Sequence, residues 1–534
     1  MRIFLIGALG ASLLAQIPPA DIRDTYTPNT DTHFTMPAYQ TLAEWQTRRE
    51  ALRAQILSAA GLNPLPERTP LHAQVFGRIE HTDYTIEKVL LETLPGYYLA
   101  GNLYRPRNPN GKVPAVLTPH GHWTYGRLES QPNFSGQALG ISLARQGYVA
   151  FAYDMVGYND TIQTPHDFAK PLEQLWSFGP LGLQLWNSIR AVDFVQSLPE
   201  VDPKRIGATG ASGGGTQTFL LAAVDDRIAF SAPVNMVSGI MQGGCVCENA
   251  PGLRAGTFNV EIAALMAPRP MLAVAATGDW TKNVPREEYP ALRHIYELYG
   301  KPENVEVVQF DAGHNYNQDS REAVYKFFAK HALGSPQSEP FKEKNVTIEQ
   351  LQNMLALHNR TLPEGALSYA ALFESWRTMS DRQTKAIRDH AAMRERLKLV
   401  LGAEWPRGVM AVTEHGKITL SRAHKSDRIP GIWMEGHGPA ALVVHPDGAE
   451  AARSSEQVRK LTAAGRAVLL VDAFQTGSAK TARDLSHRYF LTFNLTDDAN
   501  RVQDILTALA YLGSKIHGKV ELIGLDRAAV WAVF

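Results

Sequence analysis

The amino-acid sequence predicts an α/β protein whose central sheet is mostly parallel and is flanked by helices. The first observation is a series of short, nearly continuous apolar runs, at residues 114–120, 148–154, 205–210, 228–235, 269–279 and 305–314. The second is that amphipathic helical stretches, such as GQALGISLARQG and SIRAVDFVQSL, lie between several of these runs. Strands that are buried on both faces and joined by helices are typical of parallel sheets. A third observation, a weaker copy of the pattern near the end of the chain, predicts a second, incomplete unit.

Length and charge limit the kinds of protein that fit this pattern. The chain has 534 residues, of which 44% are hydrophobic and 20% are charged, so it can bury more than one core. Its 53 basic residues are balanced by 53 acidic ones. Binding to nucleic acid requires a surplus of basic surface, so we expect no nucleic-acid partner.

The N-terminal segment MRIFLIGALGASLLAQIPPA resembles an export signal in composition. Arg2 precedes an apolar stretch from Ile3 to Ala15, and small residues follow. The stretch is shorter than the roughly 20 apolar residues that a membrane-spanning helix needs. We expect residues 1–20 to be a signal peptide that is cleaved between Ala15 and Ala20, leaving a secreted or periplasmic protein without a membrane span.

The elements before the first apolar run are a helix and a hairpin. The stretch TLAEWQTRREALRAQILSAAG has a helical pattern, and we assign residues 21–83 to an N-terminal helical segment. Two alternating runs, YTIEKVLLET and GYYLAGNLYRP, are separated by turn residues as in a β-hairpin. With the six apolar runs they define a predicted catalytic domain over residues 84–335.

The stretch from Gly210 to Gly214 has the form G-x-S-x-G, with Ser212 at its centre, at a predicted strand-to-helix junction. Such an elbow holds a nucleophilic serine in a strained turn, where bulky neighbours would collide with the flanking strand and helix. A glycine-rich turn that only packs, or that holds a phosphate, has the same pattern. The strand before it and the helix after it favour the nucleophile.

Two residues in the expected order complete a catalytic triad. A serine needs a base to take its proton, and the base needs an acid to orient it. Asp279 ends the run RPMLAVAATGD and His314 ends VEVVQFDAGH. Both therefore lie just beyond strand ends, in the order Ser, Asp, His that this arrangement requires. Glu248 is an alternative orienting acid.

The loop TPHGHW, residues 118–123, is the expected source of a second oxyanion donor. We assign the two donors to the backbone N–H groups of His122 and Gly213, with Gly121 permitting close approach. His120 and His122 also form an H-x-H pair of the kind that binds metals, but we find no matching downstream set of His and carboxylate ligands. Cys245 and Cys247 are too few for a disulfide framework and lack a second pair for structural zinc. We therefore expect no metal and no organic cofactor.

These motifs resemble those of the α/β-hydrolase family, and within it those of acetyl xylan esterase-like and dienelactone hydrolase-like members. The resemblance covers residues 84–333 and depends on LYRP at 103–106, PHGHW, GASGGG, GDW at 278–280 and GHNY at 313–316. In such esterases an H-G-aromatic loop supplies one oxyanion N–H. Here His122 replaces the aromatic residue, and Trp123 follows one position later. The resemblance implies ester hydrolysis on acetylated sugars, among other substrates.

Four aromatic residues lie in loops that we expect to surround the site, where flat rings stack on sugar faces. They are Trp123, Tyr158, Trp280 and Tyr316. Aromatic residues in such loops also serve ordinary packing.

The last third of the chain resembles the first half of the catalytic domain. We assign residues 336–405 to a helical linker and residues 406–534 to a degenerate, truncated hydrolase-like unit. PAALVVH at 439–445 matches PAVLTPH, and the interval from Gly465 to Asp472 repeats that from Gly147 to Asp154. At the position of the serine this copy has Asp526, and its loop reads HPDG in place of HGHW.

These observations predict a serine carboxylesterase that deacylates esters of carbohydrates such as acetylated xylan. The partner is then an acylated carbohydrate or another small ester. Three alternatives stay open: a prolyl-oligopeptidase-like peptidase, a glucuronoyl-type sugar ester hydrolase, and a non-catalytic binding or scaffold protein. No propeller-like repeats precede the triad, which favours the esterase over the peptidase.

Overall fold

The computed structural model describes residues 17–333 and 341–534. Most of the predicted signal peptide, residues 1–16, lies outside these described residues. The described chain forms two compact units. The larger unit comprises residues 28–390 and 488–493, and the smaller unit comprises residues 17–27, 391–487 and 494–534. Across the described residues, no helix combines the length and apolarity that crossing a bilayer requires.

The β-strands follow one another along the chain as β1 (Gln74–Glu80), β2 (Tyr84–Leu94), β3 (Tyr97–Pro106), β4 (Val113–Leu117), β5 (Ser130–Gln131), β6 (Phe134–Ser135), β7 (Val149–Tyr153), β8 (Val201–Ala211), β9 (Ile228–Val234), β10 (Met271–Ala276), β11 (Val305–Phe310), β12 (Val409–Glu414), β13 (Lys417–Arg422), β14 (Ile429–Met434), β15 (Gly438–Val444), β16 (Arg466–Val471) and β17 (Glu521–Gly524).

The α-helices are α1 (Ile22–Thr25), α2 (Leu42–Ala59), α3 (Gly136–Arg145), α4 (Pro171–Leu175), α5 (Pro180–Ser197), α6 (Gly213–Val224), α7 (Asn259–Ala263), α8 (Glu288–Leu298), α9 (Gln318–Ala332), α10 (Leu351–Met354), α11 (Tyr369–Ala386), α12 (His390–Leu401), α13 (Ala449–Arg453), α14 (Glu456–Ala463), α15 (Phe490–Phe493), α16 (Asp497–Lys515) and α17 (Ala528–Val533).

The larger unit is built on a nine-stranded sheet with the order β1-β2-β3-β7-β4-β8-β9-β10-β11. The pairs from β1 to β7 are antiparallel, and those from β7 to β11 are parallel. The carboxyl ends of β4 and of β7 to β11 therefore meet at one edge of the sheet. The six apolar runs of the sequence each overlap one of these strands, so the predicted α/β-hydrolase fold is confirmed.

Helices cover both faces of this sheet, as runs buried on both sides require. One core contains residues of α2, α5, α6, α8 and α11, with Trp45 and Trp186 among the largest buried side chains. The opposite core contains residues of α3 and α9, such as Leu139 and Phe328. The elbow helix α6 packs on β8 and β9 and beside α5, which fixes the start of that helix, where Ser212 lies.

The boundaries of the larger unit differ from the predicted ones. Residue 84 is not a boundary, because β1 pairs with β2 and Trp45 of α2 lies in the same core as the sheet. Residues 336–405 do not form one linker either. Leu372 and Trp376 of α11 are buried in the core of the larger unit, whereas most of α12 belongs to the smaller unit. A helical pattern in the sequence does not reveal which core its apolar face contacts.

The smaller unit contains a six-stranded sheet with the order β12-β13-β14-β16-β15-β17. Its first three pairs are antiparallel and its last two are parallel, as in β1-β2-β3-β7-β4-β8 of the larger unit. At the end of β17, Asp526 has a φ of +49°, close to the +60° of Ser212. The backbone thus makes a similar turn where the copy of the motif has an aspartate.

Within the smaller unit, a buried ion pair links the segment at residues 17–27 to α16. The Arg23 guanidinium donates to Asp504 at 2.7 Å, and Asp504 also accepts the backbone N–H of Phe474 at 2.8 Å. Burial raises the pKa of Asp504 to about 6, and the attraction of Arg23 only partly offsets this.

Candidate active site

Ser212 lies between the end of β8 and the first residue of α6, with φ +60° and ψ −128°. Residues other than glycine rarely adopt these backbone angles, and such backbone strain is typical of functional residues. The surrounding hydrogen bonds hold the turn in place. The Ser212 N–H donates to the Val234 carbonyl at 3.2 Å, and the Ser212 carbonyl accepts the Thr216 N–H at 3.0 Å.

The glycines of the motif are required by close backbone contacts. A Cβ atom on Gly210 would lie 2.7 Å from the Gly214 carbonyl oxygen. A Cβ on Gly214 would overlap the Pro119 carbonyl oxygen and lie 2.9 Å from the carbonyl carbon of His120. The prediction that larger residues would collide here is therefore confirmed. The atoms with which a side chain would collide belong to the loop after β4 as well as to the adjacent strand and helix.

Asp279 and His314 contact each other at the same sheet edge. His314 Nδ1 is 3.0 Å from Asp279 Oδ2, and the relative exposures of the two side chains are 30% and 2%. The other oxygen of Asp279 accepts the Thr281 N–H at 2.6 Å and the Thr281 hydroxyl. A buried carboxylate with these donors is fixed in one orientation, so it can orient the imidazole.

The end of β9 connects the serine turn to the histidine loop. The Ser212 N–H donates a hydrogen bond to the carbonyl of Val234, the last residue of β9. The next residue, Asn235, donates from Nδ2 to the Asn315 carbonyl at 2.8 Å. Asn315 directly follows His314 in the chain. The two predicted catalytic side chains are therefore carried by loops that share one hydrogen-bonded neighbour.

The loop after β4 packs directly on the serine turn. A Cβ on Gly121 would lie 2.6 Å from the Ala211 carbonyl oxygen and 2.9 Å from Ser212 Cβ. The His122 ring lies over Gly213, within 2.8 Å of a Cβ placed there. Among the hydrogen bonds of residues 17–333, neither the His122 N–H nor the Gly213 N–H has an acceptor. Two free donors beside the serine are what an oxyanion requires.

The contacts of His120 and Glu248 indicate that both residues have structural roles. His120 is buried, its Nε2 accepts the Met155 N–H at 2.9 Å, and burial lowers its pKa to about 3. It is therefore a neutral packing residue. Glu248 accepts the Thr216 hydroxyl at 2.9 Å and the Gly244 N–H at 3.1 Å. The alternative in which Glu248 orients His314 is not supported, because the acid bonded to His314 is Asp279.

The four predicted aromatic residues have different environments. Trp280 and Trp123 both lie near the imidazole of His314, at 4.4 Å and 6.4 Å between ring centroids. Tyr158 is half-buried against His120. The prediction that Tyr316 lines the rim is wrong, since it is fully buried and its hydroxyl is 2.7 Å from that of Thr209.

A buried ion-pair network supports the loop after β7. The Arg127 guanidinium contacts Asp154 and donates to Asp160 at 2.6 Å, and its Nε donates to Asn102 at 2.8 Å. Arg127 and both carboxylates are almost completely inaccessible. Removing the cation would leave two carboxylates in a low-dielectric environment, which is costly.

Four further side chains converge beside the serine turn, a grouping that the sequence did not predict. We call His122, His166, Cys245 and Cys247 the Cys–His cluster, because their ligand atoms all lie within 4.8 Å of one another. The H-x-H pair has no matching set of His and carboxylate partners in the sequence, and its member His122 instead lies beside two cysteines and a third histidine. The sequence feature that could have indicated this cluster is the presence of both an H-x-H and a C-x-C motif. His166 belongs to neither motif and could not be found in this way.

Known proteins similar to this chain include hydrolases and esterases. A profile of the dienelactone hydrolase family matches residues 99–343. The chain is 28% identical over 300 residues to "Putative hydrolase YtaP" of Bacillus subtilis (strain 168), covering 50% of this chain and 95% of the relative. The solved structure "Methylesterase BT1017" is 31% identical with a TM-score of 0.55, covering 65% of this chain and 78% of that one. A third relative, "4-O-methyl-glucuronoyl methylesterase" of Thermothelomyces thermophilus, is 26% identical over 219 residues, or 33% of this chain and 53% of the relative.

Proposed function

We propose that this chain, which belongs to the dienelactone hydrolase family and is an α/β-hydrolase serine esterase, hydrolyses carboxylic esters of carbohydrates. The observation that carries the proposal is the hydrogen bond between Asp279 and His314 at the sheet edge that also holds the strained turn of Ser212. Nucleophile, base and orienting acid follow three strands of one parallel sheet, which keeps them on rigid elements.

In the proposed mechanism Ser212 attacks the ester carbonyl and His314 takes its proton. The N–H of His314 Nδ1 donates to Asp279, so Nε2 carries the lone pair that accepts the serine proton. The imidazolium that forms is stabilised by the Asp279 carboxylate. His314 then returns the proton to the leaving alcohol, and a water molecule hydrolyses the acyl-enzyme by the same route.

The negative charge of the tetrahedral intermediate is stabilised by the N–H groups of Gly213 and His122. Both donors belong to backbone that is fixed before substrate binds, so no reorganisation is needed when the charge develops. The Gly213 N–H lies in the first turn of α6, where the helix dipole also favours a negative charge. Loss of one such donor costs about 10²–10³-fold in kcat in related sites.

Two ester classes are candidates for the substrate. The sequence motifs resemble those of acetyl esterases, whereas two relatives are named as methylesterases, one of them acting on a glucuronoyl ester. We propose the methyl ester of a sugar acid as the first candidate and an acetylated sugar as the second. Trp280 and Trp123, both near the His314 ring, offer flat apolar surfaces for a sugar ring.

We also propose export of the chain and an internal duplication. Export is supported by the composition of residues 1–20. The duplication is supported by the identical strand order of the smaller sheet and by the left-handed conformation of Asp526. Since an aspartate stands in place of the serine, we assign the esterase activity to the larger unit.

The test is hydrolysis by the purified chain and by Ser212→Ala, followed as acid release at constant pH. Methyl glucuronate and acetylated xylan both release acid, so one titration compares them, and the methanol or acetate produced is identified by NMR. Ser212→Ala should lower kcat by on the order of 10⁶-fold. Proline-amide peptides serve as the control for a peptidase.

Equal rates for the wild type and Ser212→Ala would refute a serine mechanism. Turnover of the peptides without turnover of either ester would favour the peptidase. The absence of turnover on all three substrates would favour a binding protein.

A further inference from the structure

The Cys–His cluster joins three loops that surround the serine turn. His122 lies after β4, His166 after β7, and the two cysteines after β9. His122 Nε2 is 3.1 Å from Cys247 Sγ, and His166 Nε2 is 3.3 Å from Cys245 Sγ. Residues far apart in the chain thus place two imidazole nitrogens and two sulfurs around one point.

These distances are close to those of a tetrahedral metal centre. Zinc binds thiolates at about 2.3 Å and imidazole nitrogens at about 2.0–2.1 Å, so neighbouring sulfur and nitrogen ligands are about 3.6 Å apart around it. All four ligand atoms lie within 4.8 Å of one another. The His122–Cys247 and His166–Cys245 separations, 3.1 Å and 3.3 Å, and the upper limit of 4.8 Å lie on either side of this value.

The protonation of His166 is already set for binding through Nε2. Its Nδ1 is 2.6 Å from the Val156 carbonyl oxygen, which only accepts hydrogen bonds, so Nδ1 carries the proton. The Nε2 lone pair then faces the sulfur of Cys245. A metal-binding imidazole usually donates its other ring N–H to a carbonyl or carboxylate in this way.

The loop that carries the cysteines is fixed by buried polar contacts. Glu248 accepts the N–H groups of Gly244 and Cys245, and its other oxygen accepts the Thr216 hydroxyl of α6. The Asn249 amide donates to the Cys245 carbonyl at 2.9 Å. The thiols are thus held in position, which reduces the entropic cost of binding a metal ion.

We propose that the Cys–His cluster binds one Zn²⁺ ion beside Ser212. Two thiolates and two neutral imidazoles form a closed Cys₂His₂ set, which is typical of structural zinc. With all four positions filled by protein, the ion has no open site for water. Its role is therefore positional.

The effect of the ion on catalysis, which rests on the proposed function, passes through His122. The ring of His122 lies over Gly213, and its backbone N–H is a proposed oxyanion donor. A metal ion bound to this ring would link the loop after β4 to the cysteine loop. The ion would then keep both oxyanion donors at a fixed distance from Ser212.

The experiment measures bound zinc in the full chain, purified with a reductant, by elemental analysis after removal of free metal. The wild type should hold about one zinc per chain, and Cys247→Ser and His166→Ala should lose most of it. His294→Ala is the matched control, because His294 lies in the larger unit outside the cluster. Addition of Co²⁺ to the metal-free wild type should give the visible bands of tetrahedral cobalt and thiolate-to-cobalt charge transfer.

Ser212→Ala separates this proposal from the esterase function, since it should abolish turnover and keep the zinc. Removal of zinc from the wild type should lower kcat by about 10–100-fold and restoring it should recover the rate. The proposal is overturned if the wild type binds no more zinc than Cys247→Ser and gives no cobalt spectrum. A Cys245–Cys247 disulfide in the protein purified with reductant would also overturn the proposal. It would be detected as an intact mass that is lower than that of the dithiol by two hydrogen atoms.

Discussion

Replacing Gly214 with alanine tests whether the close packing of the serine turn is needed for catalysis. The new methyl group would overlap the Pro119 carbonyl oxygen and lie 2.9 Å from the carbonyl carbon of His120. Carbon atoms in contact are about 3.5–4.0 Å apart, so the helix start and the loop after β4 must separate by about 1 Å. That loop carries the proposed oxyanion donor His122.

A shift of this size should be far more harmful to the rate than to the fold. A misplacement of 1 Å costs on the order of 10²-fold in rate, so kcat of Gly214→Ala should fall about 100-fold. Overpacking costs about 1–3 kcal/mol of stability, and alanine regains about 1 kcal/mol of helix propensity. The free energy of unfolding should therefore fall by at most about 2 kcal/mol.

The assay compares steady-state hydrolysis and urea unfolding of Gly214→Ala with those of Gly313→Ala. Gly313 precedes His314, but a Cβ there would meet nothing within 4 Å, so this variant adds the same methyl group without a clash. Its kcat should stay within about twofold of the wild type. A folded Gly214→Ala protein with wild-type kcat would refute the packing argument.

Four further variants test other parts of the structure. Asp279→Asn should lower kcat by about 10⁴-fold, because the imidazole loses its orienting charge, while Glu248→Gln should retain most activity in the same ester assay. Arg127→Met leaves its two buried carboxylates unpaired and should lower the free energy of unfolding by about 3–5 kcal/mol in urea, and an unchanged midpoint would contradict this. Burial raises the pKa of Asp504 from 3.8 to about 6. Between these two pH values the carboxyl is therefore protonated in the native chain and ionised in the unfolded chain. The contribution of this carboxyl to stability therefore declines as pH rises from about 4 to 6, and Asp504→Asn should remove that decline in unfolding measured across the range.

The strands and the positions of the catalytic candidates could be predicted from sequence because both are local signals. A run that is apolar on both faces specifies a buried strand, and parallel strands place their carboxyl ends at one edge. Asp279 and His314 could therefore be located by their positions after β10 and β11. Their hydrogen bond follows from that topology.

Side-chain directions in the loops could not be predicted in the same way. Tyr316 follows a strand end like the catalytic candidates, but its backbone N–H donates to the Asn133 carbonyl at 2.7 Å and its ring is buried in the core. His166 joins the Cys–His cluster only because a long loop after β7 returns to the serine turn. Such paths depend on contacts between distant residues, which periodicity does not encode.

The central claim is that Ser212 is activated by the contact of His314 with Asp279. The most direct measurement is the mass of the intact chain after reaction with a fluorophosphonate ester, with the modified residue located in peptides. We expect one adduct on Ser212, much slower labelling of His314→Ala and none of Ser212→Ala. An adduct on another residue, or equal labelling of Ser212→Ala, would contradict it.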